Sequence, residues 1–260
     1  MKNKRQSLFV ILAALFLTNA ILAELIGVKI FSLEKTLGFD PVNLNILGYT
    51  LDFNLTAGVM IWPVVFITTD IINEYFGKRG VRKISFIAVG CISYSFLMIL
   101  LVTKLNPASF WLEVNDSDPS GNPFNINYAF NKIYTQGLGI IIGSITAFLI
   151  GQLLDVIVFQ RLRRITGEKM IWLRATGSTL ISQLVDSFVV LALAFYFLAP
   201  EENRWAFSQV ISVGTLNYIY KFVIAIALTP LIYLGHYLID RYLGKEEADK
   251  MKEEAAVSSF

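Results

Sequence analysis

Asp70, Asn73 and Glu74 stand at i, i+3 and i+4 in "TTDIINEYFGKRGVRK", residues 68–83, at the end of a run where a lipid-facing helix would carry Leu or Val. The grouping recurs. Gln152 and Asp155 are three apart; Thr179, Gln183 and Asp186 follow i, i+4 and i+7 with Ser178 beside them; Asn217 and Lys221 are four apart, and Asn19 and Glu24 lie in the first apolar run. Spacings of three, four and seven put each set on one helix face. An ionised residue at the centre of a membrane helix costs on the order of 2.5–3.5 kcal/mol on insertion scales, so a chain that keeps several must use them in its interior. They are expected to converge. The acids Glu24, Asp70, Glu74, Asp155 and Asp186 outnumber the one deep cation, Lys221, with Arg174 read as an interfacial residue near its helix start. Some of that surplus must be protonated, solvated or matched by a cationic ligand, which suits a small polar cation or a donor-rich base. Other readings stand beside this one. Gln152, Ser178 and Thr179 also suit helix-to-helix hydrogen bonding, Asp70 and Glu74 suit wet headgroups, and Asp186 and Lys221 suit a direct ion pair.

These side chains need long apolar elements to carry them. Of 260 residues, 55% are hydrophobic and only 16% charged, more apolar surface than one soluble core buries. The fold class is therefore an all-α integral membrane protein. A span needs around 20 mostly apolar residues, and stretches near 8–30, 55–74, 84–104, 136–159, 172–198 and 207–240 meet that need, with a kink, tilt or amphipathic extension expected around Pro230. Residues 1–245 read as one six-span domain and 246–260 as a charged cytoplasmic tail. Asp186 and Lys221 each fall roughly 20 Å along their helices. Asp70 and Asp155 sit nearer the basic loops, so the polar file runs from mid-membrane inward.

Cations set the orientation, because short cytoplasmic loops collect Lys and Arg. Lys2, Lys4 and Arg5 precede the first span, Lys78 to Lys83 follow the second, Arg161 to Lys169 follow the fourth, and Arg241 to Lys252 follow the sixth. Both termini are expected in the cytoplasm. On the other side, "VNLNILGYTLDFNLTA" alternates like a hairpin or an extended cover over the outer mouth, and "FNINYAFNKIY" reads as a short interfacial helix, a lid or an aromatic anchor.

Several classes fall away. One cysteine, Cys91, and one histidine, His236, leave no disulfide framework and no multi-cysteine metal site, so no cofactor is expected. The net charge of +2 is spread over short loops and gives no nucleic-acid surface. No phosphate loop of the form GxxxxGK[ST] occurs. An intramembrane enzyme is the remote rival, because no nucleophile–base pair can be assigned.

"TTDIINEYFGKRGVRK", "GQLLDVIVFQRLR", "STLISQLVDSF" and "NYIYK" together resemble the queuosine precursor transporter family, also called the vitamin-uptake-like family. Ser187 stands where that family favours Thr, and the hydroxyl is kept. The resemblance implies uptake of 7-cyano-7-deazaguanine and 7-aminomethyl-7-deazaguanine across a bacterial cytoplasmic membrane. It also implies a six-helix bundle similar to the substrate-binding subunits of energy-coupling-factor importers, working without an energising partner, as a facilitator or ion-coupled carrier. A homo-oligomer is left open. Trp62, Phe66 and Tyr218 are candidates to stack on the base, and Asp70 and Glu74 are expected to contact it or line its exit. A carrier of another nitrogenous base or vitamin is the nearer alternative.

Overall fold

The computed structural model describes residues 2–135, 138–166, 170–199 and 201–257. Gln136, Gly137, Lys169 and residues 258–260, which the sequence assigns to a span, a loop and the tail, lie outside the described residues. The chain opens with α1 (Lys2–Ile26), then β1 (Ile30–Ser32), α2 (Leu33–Leu37), β2 (Leu44–Ile46), β3 (Tyr49–Leu51), β4 (Asn54–Thr56) and a 3-10 turn (Ala57–Met60). Next come α3 (Trp62–Val102), α4 (Ser109–Val114), α5 (Ile126–Tyr134), α6 (Leu138–Thr166) and α7 (Ile171–Leu191), which continues as a π-helical segment, Ala192–Phe197. After a 3-10 turn (Glu201–Asn203) follow α8 (Phe207–Ala227), α9 (Thr229–Leu243) and α10 (Lys245–Val257). Among the described residues, five helices are long and apolar enough to cross a membrane: Asn3–Ile26, Trp62–Val102, Ile142–Thr166, Ile171–Phe197 and Phe207–Ala227. The protein is an all-α, multi-pass membrane protein.

Helix α3 is longer than one crossing needs, and it is broken. Gly77 has φ 66° and ψ −173°, a conformation reserved for glycine. A Cβ at Gly80 would sit 3.4 Å from Ile72 Cγ2, whereas residues eight apart in a straight helix are separated by about 12 Å. The chain therefore doubles back at Gly77. Lys78 to Lys83, expected as a loop, are instead the first turns of the returning helix, because glycine makes the reversal within one residue. The stretch expected as one span from 207 to 240 is also divided: α8 ends at Ala227 and Pro230, which has no N–H to donate, starts α9.

Helix α1 packs between the two arms of α3. Its stripe Leu8, Leu12, Phe16 and Ala20 meets Val65 and Ile72 on one arm and Ile84, Ala88, Ile92 and Phe96 on the other. Phe16 also reaches Phe148 of α6, at 6.3 Å between centroids. In lipid such contacts act through close packing more than through water exclusion. Leu15, Leu97, Ile157 and Val223 point outward and stay exposed, as lipid-facing residues do.

At one end, β2 and β3 form a hairpin whose two turn residues, Leu47 and Gly48, have φ 50° and 86°, the signs of a type I′ turn. Ser212 of α8 donates to Ile46 O at 3.0 Å and seats the hairpin on that helix. At the other end, α10 packs on α3 and α9 and buries Ala248, Met251 and Ala255, the first two within the main apolar cluster. Arg5 donates to Glu247 and Glu254, and Lys252 donates to Asp240 at 3.0 Å. The tail residues 245–257 are thus a docked helix.

Gly77→Ala should destabilise the fold by about 1–3 kcal/mol, the usual strain for a side chain forced into such a conformation. A thermal unfolding midpoint in detergent equal to that of the natural protein would contradict the reversal.

Candidate functional site

Trp62, Phe66 and Asp70 recur every four residues along the first arm of α3, and Thr176, Thr179 and Gln183 follow i, i+3 and i+7 on α7. These two faces look at each other. With Tyr220, Lys221 and Ile224 of α8 they wall a cavity of about 540 Å³, counting the space at its mouth. A smaller hollow of about 220 Å³ adjoins it, sharing Trp62, Phe66 and Gln183 and adding Phe148, Gly151, Gln152 and Asp186. Gly151 stands opposite Asp186 across this second hollow, where a Cβ would make only ordinary contact, at 3.7 Å from that of Asp186. At Gly214 a Cβ would fall 2.6 Å from the Phe188 ring, so glycine is what lets α8 close on α7.

Polar atoms without partners point to a ligand. Asp70 Oδ1, Gln183 Nε2 and both amide atoms of Gln152 are buried with no hydrogen-bond partner among the described residues. Burying such groups unpaired costs roughly 1–3 kcal/mol each, and all of them belong to residues lining the two hollows. Asp70 also feels the charges of Asp155 and Glu74. Trp62 and Phe66 lie 5.8 Å apart and 28° from parallel, which gives the walls a flat aromatic side. Lys221 Nζ donates to Asp186 Oδ2 at 2.6 Å and ties α8 to α7.

The other candidates stand around this centre. Asp155 accepts from Ser182 at 3.3 Å, and Ser178 donates to Ala175 O at 3.2 Å; both are buried behind the cavity wall. Asn73 accepts from Gln160 Nε2 at 2.6 Å. Glu74 lies away from both hollows and accepts from Arg174 Nη2 at 2.9 Å. Asn19 donates to Leu15 O within its own helix, and Asn217 is half-buried; neither lines the cavity.

Arg174 is the main correction. Expected at the interface, it is fully buried, paired with Glu74 and set over the Phe159 ring at 5.9 Å. Helix α7 starts after Met170, which has φ 58°, and Arg174 and Ala175 near its start are already buried. Arg163 joins the group, donating to Glu74 O at 3.2 Å and to Lys252 O of α10 at 2.6 Å. Tyr75 adds a link to Asp240 at 2.6 Å and contacts His236 Nδ1 at 3.1 Å. Arg163, Gln160 and Tyr75 escape a reading of the sequence because they sit beside loop charges or look like interfacial aromatics.

The structure is that of a membrane protein whose membrane-length helices enclose a cavity lined in part by unpaired amide and carboxylate groups. Residues 56–235 match the family described as "Putative vitamin uptake transporter", and the chain belongs to that family. It is similar to the "Probable queuosine precursor transporter" of Bacillus subtilis, 29% identical over 78% of this chain and 82% of the relative. The protein of the same name from Haemophilus influenzae is 30% identical over 72% and 71%. The "Queuosine precursor transporter" of Escherichia coli is 28% identical over 78% and 82%. These relatives are named as transporters, and this protein is a transporter, not an enzyme. No solved structure matches the chain.

Replacing Arg174 by Gln strands the buried Glu74 charge and should cost about 3–5 kcal/mol. The double variant Arg174→Gln with Glu74→Gln should recover part of that loss. Equal yield and thermal midpoint for the single variant and the natural protein would show that the pair does not hold the fold.

Proposed function

We propose that the protein carries queuosine precursors, 7-cyano-7-deazaguanine and 7-aminomethyl-7-deazaguanine, across a bacterial cytoplasmic membrane. The base lies in the cavity between α3, α7 and α8. The observation that carries this reading is the set of unpaired atoms at Asp70, Gln183 and Gln152 around one pair of adjoining hollows. The ring N–H and exocyclic amino group of the base are donors that one carboxylate, Asp70, accepts together. Its carbonyl takes an N–H from Gln183 or Gln152. Trp62 and Phe66 offer the aromatic wall on which a flat heterocycle packs. The aminomethyl form is a cation, and Asp186 is the carboxylate within the same hollow that would receive it, in exchange with Lys221. Asp155 and Ser178 back the wall, while Asn73 and Glu74 brace the inner end. The names of the three relatives support the substrate.

The arrangement we propose has six crossings: α1, the two arms of α3 on either side of Gly77, α6, α7 and α8. It matches the bundle that the resemblance to energy-coupling-factor substrate-binding subunits implies. Both termini face the cytoplasm, supported by the basic residues before α1, after Gly77 and around α9 and α10. Neither a cofactor nor an energising partner enters the scheme. A vitamin cargo is the second reading, favoured by the family's description.

Reconstituted protein in sealed vesicles should equilibrate labelled 7-aminomethyl-7-deazaguanine unchanged, and Asp70→Asn should lower the initial rate about tenfold, the effect of a mismatch of roughly 1.4 kcal/mol. Full uptake by Asp70→Asn at matched protein levels would remove Asp70 from the site. Thermal stabilisation by vitamins but not deazapurines, across a panel, would favour the second reading.

In a Cys91→Ser background, a cysteine at exposed Lys78 should resist an impermeant thiol reagent added outside, and one at exposed Ser117 should react. Labelling at Lys78 from outside would invert the orientation.

A further inference from the structure

We propose that Glu24 and Ser144 form a proton-carrying site that couples proton movement to transport. Glu24 lies in the last turn of α1, 9% exposed, and does not line either hollow. Ser144 Oγ of α6 stands 2.6 Å from one of its carboxyl oxygens and 2.7 Å from the other. A serine hydroxyl has one proton and can donate to only one of them. Two contacts that short are both hydrogen bonds when the carboxyl carries a proton: its O–H donates to Oγ while the serine O–H donates to the carbonyl oxygen. The geometry is thus complete with one added proton and incomplete without it. Among the described residues, no Lys or Arg forms an ion pair with Glu24.

Charged groups on the neighbouring helices would make Glu24 responsive to cargo. From α7 comes Asp186, whose charge acts on Glu24, and from α8 comes Lys221, which holds Asp186. The 3-10 turn Ala57–Met60 that packs on α1 presents no titratable side chain. Asp70, on the first arm of α3, is about 12 Å along the helix from Trp62, and Asp155 is eleven residues beyond Ser144 on α6. When a base draws Lys221 away, the free Asp186 carboxylate repels negative charge at Glu24, and Glu24 takes up one proton. When Lys221 returns, the proton leaves. By linkage, a proton bound at Glu24 then favours the loaded cavity.

This inference rests on the proposed cargo, and its tests separate the two. With labelled 7-aminomethyl-7-deazaguanine and an inside-alkaline gradient, the natural protein should accumulate the base up to about tenfold per pH unit at one proton per molecule. Glu24→Gln, which keeps a hydrogen bond to Ser144, should still be stabilised thermally by the base and still equilibrate it, but should not accumulate it. Accumulation by Glu24→Gln equal to that of the natural protein would overturn the proposal, as would equilibration by the natural protein that ignores the gradient. If no base is bound or moved, the cargo reading fails and the proton site is read without cargo, by infrared titration of the protein in lipid. A protonated-carboxyl C=O band present in the natural protein, shifted in Ser144→Ala and missing in Glu24→Gln, supports the site. Absence of any such Glu24-dependent band throughout the pH range in which the protein is folded overturns it.

Discussion

Glu74 carries its carboxylate into the interior of a bundle of apolar helices, and Arg174, with no exposed surface, holds it at 2.9 Å. Neither charge belongs there alone, since taking an ion from water costs several kcal/mol that only a close, well-bonded partner offsets. The pair joins α3 to α7, and Arg163 extends it to α6 and to the backbone of α10. Four helices are thereby fixed in register at the end where α10 docks. The cavity above depends on that register, because its walls are the next turns of α3 and α7.

Polar residues in this bundle divide according to what they touch. Asn73 and Glu74 meet Gln160, Arg163 and Arg174, although Asn73 Nδ2 and Glu74 Oε2 have no hydrogen-bond partner among the described residues. Asp70 stands one turn before Glu74 and leaves an oxygen free beside the cavity. Gln152 and Gln183 do the same on α6 and α7. In a hydrocarbon surrounding, an unpaired amide or carboxylate persists where water or a ligand can reach it. Trp62 and Phe66, with Ile67, Ile224 and Ile232, keep the rest of the wall apolar, so few polar groups line the cavity.

The ends of the bundle are closed by different means. The β2–β3 hairpin rests on α8 through Ser212, which reaches Ile46 O, and through a hydrogen bond between Tyr49 and Ser208 at 3.2 Å, and its strands carry no fully buried side chain. At the opposite end α10 is docked by Met251 and by ion pairs from Arg5 and Lys252. Surface pairs of this kind are individually weak, typically below about 1 kcal/mol. Several weak pairs and three small or flexible apolar residues together hold the helix in place.

Much of this was legible in the residues themselves. Apolar runs of membrane length follow from composition, and spacings of three and four fixed which polar side chains share a face, because helix geometry is local. The short helix Ile126–Tyr134 was also readable from its aromatic residues, and the alternation around "GYT" left a hairpin or an extended segment, of which the structure has the hairpin. Partner choice was not. Arg174 looks like an interfacial cation by position, Glu74 looks like a cavity residue by spacing, and only the packing of α3 against α7 brings the two together. The reversal at Gly77 hides in a basic stretch that resembles a loop, since a glycine's φ is decided by what packs on either side of it. Sequence determined which faces are polar, because periodicity is a property of one helix. Tertiary structure decided which of those polar atoms are paired and which are left open to a ligand, because pairing needs two helices and the distance between them.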